Sequence, residues 1–260
     1  MLDINNLQVI FNKNTVNEKI ALDNFSLHLD DGDFLTVIGN NGAGKTTLLN
    51  AIFGLVDINS GSIILDGKDI THLKTHKKAK NIGIVFQNPL AGTAPDMSVL
   101  ENLVLASSKV SHKPFSIAIT KKKEKLIKEE IATLGLGLEN KLKTPVGKLS
   151  GGERQAITLL MATSNNPNLL LLDEHTAALD PIAANLVINK TEEIVTNNHI
   201  TTIMITHSID MALKYGNKLL LLENGKIKKL IDKEEKDKLK VNDILSMYNN
   251  NLNDNIILGG

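Results

Sequence analysis

The sequence contains no cysteine and no tryptophan. The missing cysteine excludes disulfides, thiolate nucleophiles and Cys-held metal or iron–sulfur centres. Aromatic residues are few, six Phe and two Tyr in 260 residues, which is thin material for the stacking platforms that bind single-stranded nucleic acid. Neither charge is in excess: 29 Lys+Arg balance 29 Asp+Glu, whereas binding of nucleic acid by counterion release goes with a basic surplus. Long apolar runs are also missing. The longest, such as Leu169–Leu172 and Leu219–Leu222, fall far short of the roughly 18 residues of a membrane span. Met1–Asn5 has neither the basic nor the apolar region of a secretory signal. A soluble, cytoplasmic chain is expected, one that reaches a membrane only through a partner. Arginine is almost absent: Arg154 stands alone among the 29 basic residues, a bias that also suits the abundance of Asn and Ile.

With 42% apolar residues, the chain can bury a sizeable core in one large domain or two small ones. Leu2–Phe11, Ala21–Leu29 and Phe34–Ile38 read as strands, the third ending at Gly39. A Gly-rich turn and a helical run from Lys45 to Gly54 follow, then strands at Ile63–Leu65 and Ile82–Phe86. Asn88–Asp96 reads as a loop, and Ser98–Ser108 and Lys121–Leu134 as helices, the second with an apolar stripe and a Lys/Glu outer face. Residues 89–146 therefore read as a helical subdomain inserted into an α/β core formed by 1–88 and 147–248, with a loose Asn-rich tail over 249–260. After the insert, helices at Gly151–Ser164 and Pro181–Thr196 alternate with apolar strands at Leu169–Leu172 and Thr201–Ile205. That alternation implies a parallel sheet covered on both faces. Leu219–Leu222 and Lys226–Ile231, joined by Glu223-Asn224-Gly225, read as a hairpin.

Gly39-Asn40-Asn41-Gly42-Ala43-Gly44-Lys45-Thr46-Thr47 fits G-x-x-x-x-G-K-[ST] between a strand and a helix. Glycines there let successive N–H groups point at phosphate oxygens, and the helix start adds its positive dipole end. Lys45 can reach the β- and γ-phosphates, and the Thr46 hydroxyl can ligate Mg²⁺. The strand Leu169–Leu172 ends in Asp173-Glu174. Alone this is as well read as a solvated strand end. Beside a phosphate loop, Asp173 is placed to hold Mg²⁺ and Glu174 to polarise the attacking water. Leu149-Ser150-Gly151-Gly152-Glu153-Arg154-Gln155 opens a further helix, with Ser150 as N-cap. It is either an ordinary capped helix or a second phosphate-binding geometry.

Leu149–Gln155 resembles the signature motif of ATP-binding-cassette (ABC) ATPases. It stands between the phosphate loop and Asp173-Glu174, as in that family. Gln87 matches the family's Q-loop, Ala178-Leu179-Asp180 its D-loop, and His207 its switch histidine. The resemblance covers nearly the whole chain and implies a P-loop NTPase core with an N-terminal antiparallel β-subdomain and an inserted helical subdomain. It implies ATP and Mg²⁺ as cofactors, with Glu174, His207 and Gln87 catalytic and Thr46, Gln87 and Asp173 around the metal. Ser150, Gly151 and Gly152 would meet the γ-phosphate held by a second copy, Asp180 would cross that dimer interface, and Phe11 would stack on adenine. By itself His207 is a polar residue at a strand end, and Phe11 a core strand residue. His175 departs from the family, where many relatives have proline.

Three kinds of ABC protein compete. The soluble translation type resembles two fused cassettes, against one phosphate loop here. The DNA-repair type carries a long coiled coil, against about 60 residues between Gln87 and Ser150 without sustained heptads. The remaining kind is the ATPase subunit of a transporter, working with a separate membrane permease from the inner face of the membrane. Gln87–Pro95 and Asp173–Pro181 are similar to a bacterial importer subgroup with an external binding protein and a tryptophan-like amino acid as proposed cargo. An exporter ATPase is the alternative within transport.

Overall fold

The structure, a computed structural model, describes residues 1–107 and 119–249. It has two sheets. β1 (Leu2–Phe11), β2 (Lys19–Leu29), β4 (Ser60–Leu65) and β5 (Lys68–Asp69) form an antiparallel sheet in the order β2-β1-β4-β5. The second sheet has the order β10-β9-β3-β8-β7-β6. Its strands are β3 (Phe34–Ile38), β6 (Ile82–Val85), β7 (Leu169–Asp173), β8 (Thr201–Ile205), β9 (Lys218–Glu223) and β10 (Lys226–Ile231). All its pairings are parallel except β9 with β10.

The parallel sheet is buried on both faces, as the continuous apolar strands imply. In β7, Leu169 and Leu171 join a core shared with α1 (Lys45–Phe53) and the antiparallel sheet, while Leu170 and Leu172 face the opposite core. Strand pleating makes that alternation. Each buried leucine contributes about 2 kcal/mol. α1 lies between the two sheets through Leu48, Leu49 and Ile52. α5 (Gly151–Thr163) and α6 (Pro181–Asn197) cover the other face through Leu159, Ile188 and Val195.

A separate apolar cluster joins α3 (Val99–Ala106), α4 (Lys121–Ala132) and residues 134–149 to α5 and α6. α3 starts at a capping box between Ser98 and Glu101. The expected helix over Ser98–Ser108 stops at Ala106, and Ser108 lies outside the described residues. Four short helices escaped the sequence reading: α2 (Thr75–Lys78), α7 (Ile209–Lys214), α8 (Lys233–Lys236) and α9 (Val241–Asn249). Asn249, expected in a loose tail, closes α9. Ile244 is buried, and Tyr248 packs with it against the core that holds Leu219, Leu221 and Ile231. The rest of the expected tail, 250–260, lies outside the described residues. Among the described residues no helix is long and apolar enough to cross a membrane.

The β9–β10 hairpin turns at Asn224 (φ 50°) and Gly225 (φ 76°), the paired positive φ of a type I′ turn. The turn is also a junction. Gly225 N–H donates to Ala43 O at 2.9 Å, and Gly225 O accepts from Asp23 N–H at 3.0 Å. A Cβ on Gly225 would meet Ala21 O at 2.7 Å and Leu22 Cα at 3.1 Å.

Candidate functional site

The loop Gly39–Gly44 joins β3 to α1. Gly44 is the N-cap of α1 in a left-handed conformation (φ 103°), with no side chain capping the helix and no acid in its first turn. A Cβ there would meet Ala21 O at 2.4 Å, so only glycine fits. The first N–H groups of α1 are thus left for an external acceptor. Lys45 Nζ donates to Gly39 O at 2.7 Å and Asn40 O at 3.2 Å, folding the side chain over the loop. Burial holds the Lys45 ammonium below the ordinary lysine range, opposed by Glu174 and Asp173. A buried cation with only carbonyl partners fits an anionic ligand.

Asp173 ends β7 and Glu174 follows it in a left-handed conformation, φ 46°. Its N–H donates to Ile205 O at 3.1 Å. This bend turns the carboxylate across the strand ends, where two side chains reach it. Gln87, past the end of β6, donates Nε2–H to Glu174 Oε2 at 2.9 Å. His207, past the end of β8, places Nε2 2.6 Å from Glu174 Oε1. Three residues expected in catalysis are therefore brought into one cluster. Because β6, β7 and β8 are parallel neighbours, their carboxyl ends lie on one edge.

Thr46 Oγ1 donates to Asp173 Oδ1 at 3.4 Å. Burial, and next the Glu174 charge, raise the Asp173 carboxyl above its ordinary range. A hydroxyl and a carboxylate side by side are hard oxygen donors of the kind Mg²⁺ prefers. Among the described residues no group of three or more His, Asp or Glu could hold a metal alone. The pair Thr46 and Asp173 suits an ion that keeps waters and takes its other ligands from a phosphate. Such an ion would neutralise phosphate charge.

A cleft of about 200 Å³ runs over the loop, lined by Asn41–Thr47, Glu174, Phe11, Ala21 and Lys19. Phe11, expected against a base, is at its rim and 38% exposed. Lys19 and Ala21 escaped the sequence reading. They belong to no motif and reach the cleft only through β1–β2 pairing.

The signature residues Ser150, Gly151 and Gly152 do not line this cleft. Ser150 caps α5: its Oγ accepts from Glu153 N–H at 3.3 Å, and Ser150 N–H donates to Glu153 Oε2 at 3.0 Å. Lys141 holds the other Glu153 oxygen at 2.6 Å. Arg154 donates Nε–H to Val146 O at 3.3 Å, and Nη2–H to Gly147 O at 3.1 Å and Leu149 O at 2.8 Å. Its planar fork ties down the approach to Ser150, which a lysine cannot do in one plane. Asp180 is the N-cap of α6, its Oδ1 accepting from Ile182 and Ala183 N–H.

His175 is fully enclosed behind Glu174, 3.2 Å from Thr191 Oγ1 on α6. Thr191 donates its own hydrogen to Val187 O at 2.9 Å, so His175 donates from Nε2–H. Burial pushes His175 down to about 4, and the ring is neutral at physiological pH.

Residues 22–177 match the family model described as ABC transporter. The chain is 40% identical to the tyrosine transport ATP-binding protein of Clostridioides difficile (strain R20291), over 95% of this chain and 98% of that protein. It is 30% identical to a phosphonates import ATP-binding protein of Lactobacillus johnsonii (strain CNCM I-12250 / La1 / NCC 533), over 87% of this chain and 88% of that one. Among solved structures it resembles an ATP-binding cassette in a dimeric post-hydrolysis state bound to ADP and Pi. There the TM-score is 0.77 at 25% identity, covering 90% of this chain and 99% of that one. The chain belongs to the ABC transporter family, as an ATP-binding subunit that hydrolyses ATP.

Proposed function

We propose that this subunit powers import of an aromatic amino acid through a membrane permease, hydrolysing Mg²⁺-bound ATP between two copies of itself. The observation that carries the reading is the convergence of Gln87 and His207 on the two oxygens of Glu174, next to the loop that holds Lys45. Glu174 is the general base: it accepts the proton of the attacking water. His207 and Gln87 orient the carboxylate and contact water and γ-phosphate once the site is occupied. Loop N–H groups from Gly39 to Thr47 and the Lys45 ammonium hold the phosphate chain, and Thr46, Asp173 and Gln87 surround the metal. Phe11 stacks on the base.

Ser150, Gly151 and Gly152 of one copy face the phosphates of the other, and Asp180 lies at the contact between copies. Their place outside the cleft supports a shared site rather than one completed within a single chain. Residues 1–88 and 147–248 act as the nucleotide-binding core. Residues 89–146 dock the permease, which keeps the subunit on the inner face of the membrane, and a binding protein outside the cell delivers the cargo. Import is supported by the relative named for phosphonates import, and an aromatic cargo by the relative named for tyrosine transport. The tryptophan-like cargo expected from sequence falls in the same chemical class. The test is purification of the tagged subunit with its membrane partners, followed by binding of tyrosine, tryptophan and leucine to the external protein that accompanies them. An aromatic preference supports the reading; a preference for leucine, or the absence of any permease, overturns it.

A further inference from the structure

We infer that Lys19 is a nucleotide-binding residue, its ammonium reaching the α-phosphate between the base held at Phe11 and the phosphate loop. The inference rests on the nucleotide site proposed above and adds a cation that no motif contains. Register supplies the first observation: Lys19 on β2 is the direct cross-strand partner of Phe11 on β1. Side chains in such pairs stand about 5 Å apart at Cβ, so an aromatic face and an ammonium rise together at one rim of the cleft. The second observation is direction. Lys19 Nζ lies 3.7 Å from the point a Cβ on Gly42 would occupy, so the chain extends inward over the loop. Third, Lys19 and Phe11 line the same cleft as Asn41–Thr47.

Chemistry orders the cleft. A nucleotide has its base at one end and its β- and γ-phosphates at the other, and the α-phosphate between them carries a negative charge. Phe11 takes the first end, while Lys45 and the start of α1 take the second. Lys19 stands between them, a point charge on a flexible stem that can follow a phosphate oxygen. Among the described residues its ammonium has no hydrogen bond or ion pair to a protein group, unlike its neighbour Lys226, which holds Asp23 at 3.0 Å. Lys19 is exposed, so its replacement leaves the core packing intact.

The test is calorimetric titration of ATP and ADP into the full chain and its Lys19→Met, Lys19→Arg and Lys45→Ala variants, from about 50 to 300 mM salt. Lys19→Met is expected to weaken ATP and ADP alike, about five- to tenfold at low salt, the worth of one charge-assisted contact at a solvated site. The loss should shrink as salt rises, and Lys19→Arg should restore most of the affinity. If Lys19→Met binds as tightly as the parent while Lys45→Ala is weak, the inference fails and the nucleotide site stands. A loss that ignores salt and is not restored by arginine also overturns it, since that is the behaviour of packing rather than charge. If neither Lys19→Met nor Lys45→Ala weakens binding, the site itself is wrong.

Discussion

The two Gly-flanked helix starts of this chain are built in opposite ways. α1 begins at a left-handed glycine with no side-chain cap and no acid in its first turn. α5 begins at Ser150, which exchanges two hydrogen bonds with Glu153, and Lys141 balances that acid. The first helix start has no cap within the chain and suits an anion; the second has its side-chain cap and a balanced acid within the chain. Under the proposed function, the difference would let one cassette carry two phosphate-facing helix ends without competing with itself. On that proposal one end binds within its own chain, and the other, its side-chain cap already engaged, would offer its glycine backbone to a neighbour's ligand.

The most direct way to break this contrast is at the chemical step. Glu174→Gln should lower phosphate release by about 10²- to 10⁴-fold, the usual worth of a general base. ATP binding should persist, and sedimentation with ATP and Mg²⁺ should show a long-lived dimer; turnover near that of the parent would remove Glu174 from its role. Next comes the incomplete helix start. Lys45→Ala should weaken ATP about 100-fold or more by calorimetry, since two charge-assisted contacts go, whereas an indifferent result would make α1 an ordinary helix.

Behind the catalytic face, His175 gives an effect of pH on stability. Its folded pKa of about 4 lies below its ordinary 6.5, so the unfolded chain takes up the proton first. Stability is therefore lost as pH falls from 6.5 towards 4 and levels off below that, about 3 kcal/mol in all. Chemical denaturation of His175→Gln across this window should give a visibly shallower slope. The smallest effect belongs to the self-sufficient helix. Ser150→Ala removes a cap worth about 1 kcal/mol, read as a lower denaturation midpoint. It should also weaken the ATP-dependent dimer; a dimer of unchanged strength would leave α5 a capped helix and nothing more.

What could be read from sequence depended on how local the cause was. The phosphate loop, the acidic strand end and the N-cap at Ser150 are contiguous runs whose geometry follows from their own residues. The I′ hairpin at Asn224-Gly225 was legible for the same reason. Lys19 was not, because only the β1–β2 register brings it over the loop. The role of Arg154 could be suspected from its rarity, but its three carbonyl partners come from the turn preceding α5. The fixed tautomer of His175 needs Thr191, almost three helix turns into α6. The short helices α7 and α9 place their apolar residues against the core of β9 and β10, and α8, Lys233–Lys236, has no apolar residue to show a period at all.

Gly225 has a consequence for how this chain tolerates change. The hairpin tip lends its N–H to Ala43 in the phosphate loop and its carbonyl to Asp23 in the other sheet. Any side chain there would collide with Ala21 O and adopt an unfavourable positive φ, a strain of about 1 to 3 kcal/mol. A mutational screen scored on ATP binding would therefore return residue 225 among its hits, though it lines no part of the nucleotide cleft. The phosphate loop and a turn near the far end of the chain are thus mechanically joined, and a substitution that displaces one strains the other.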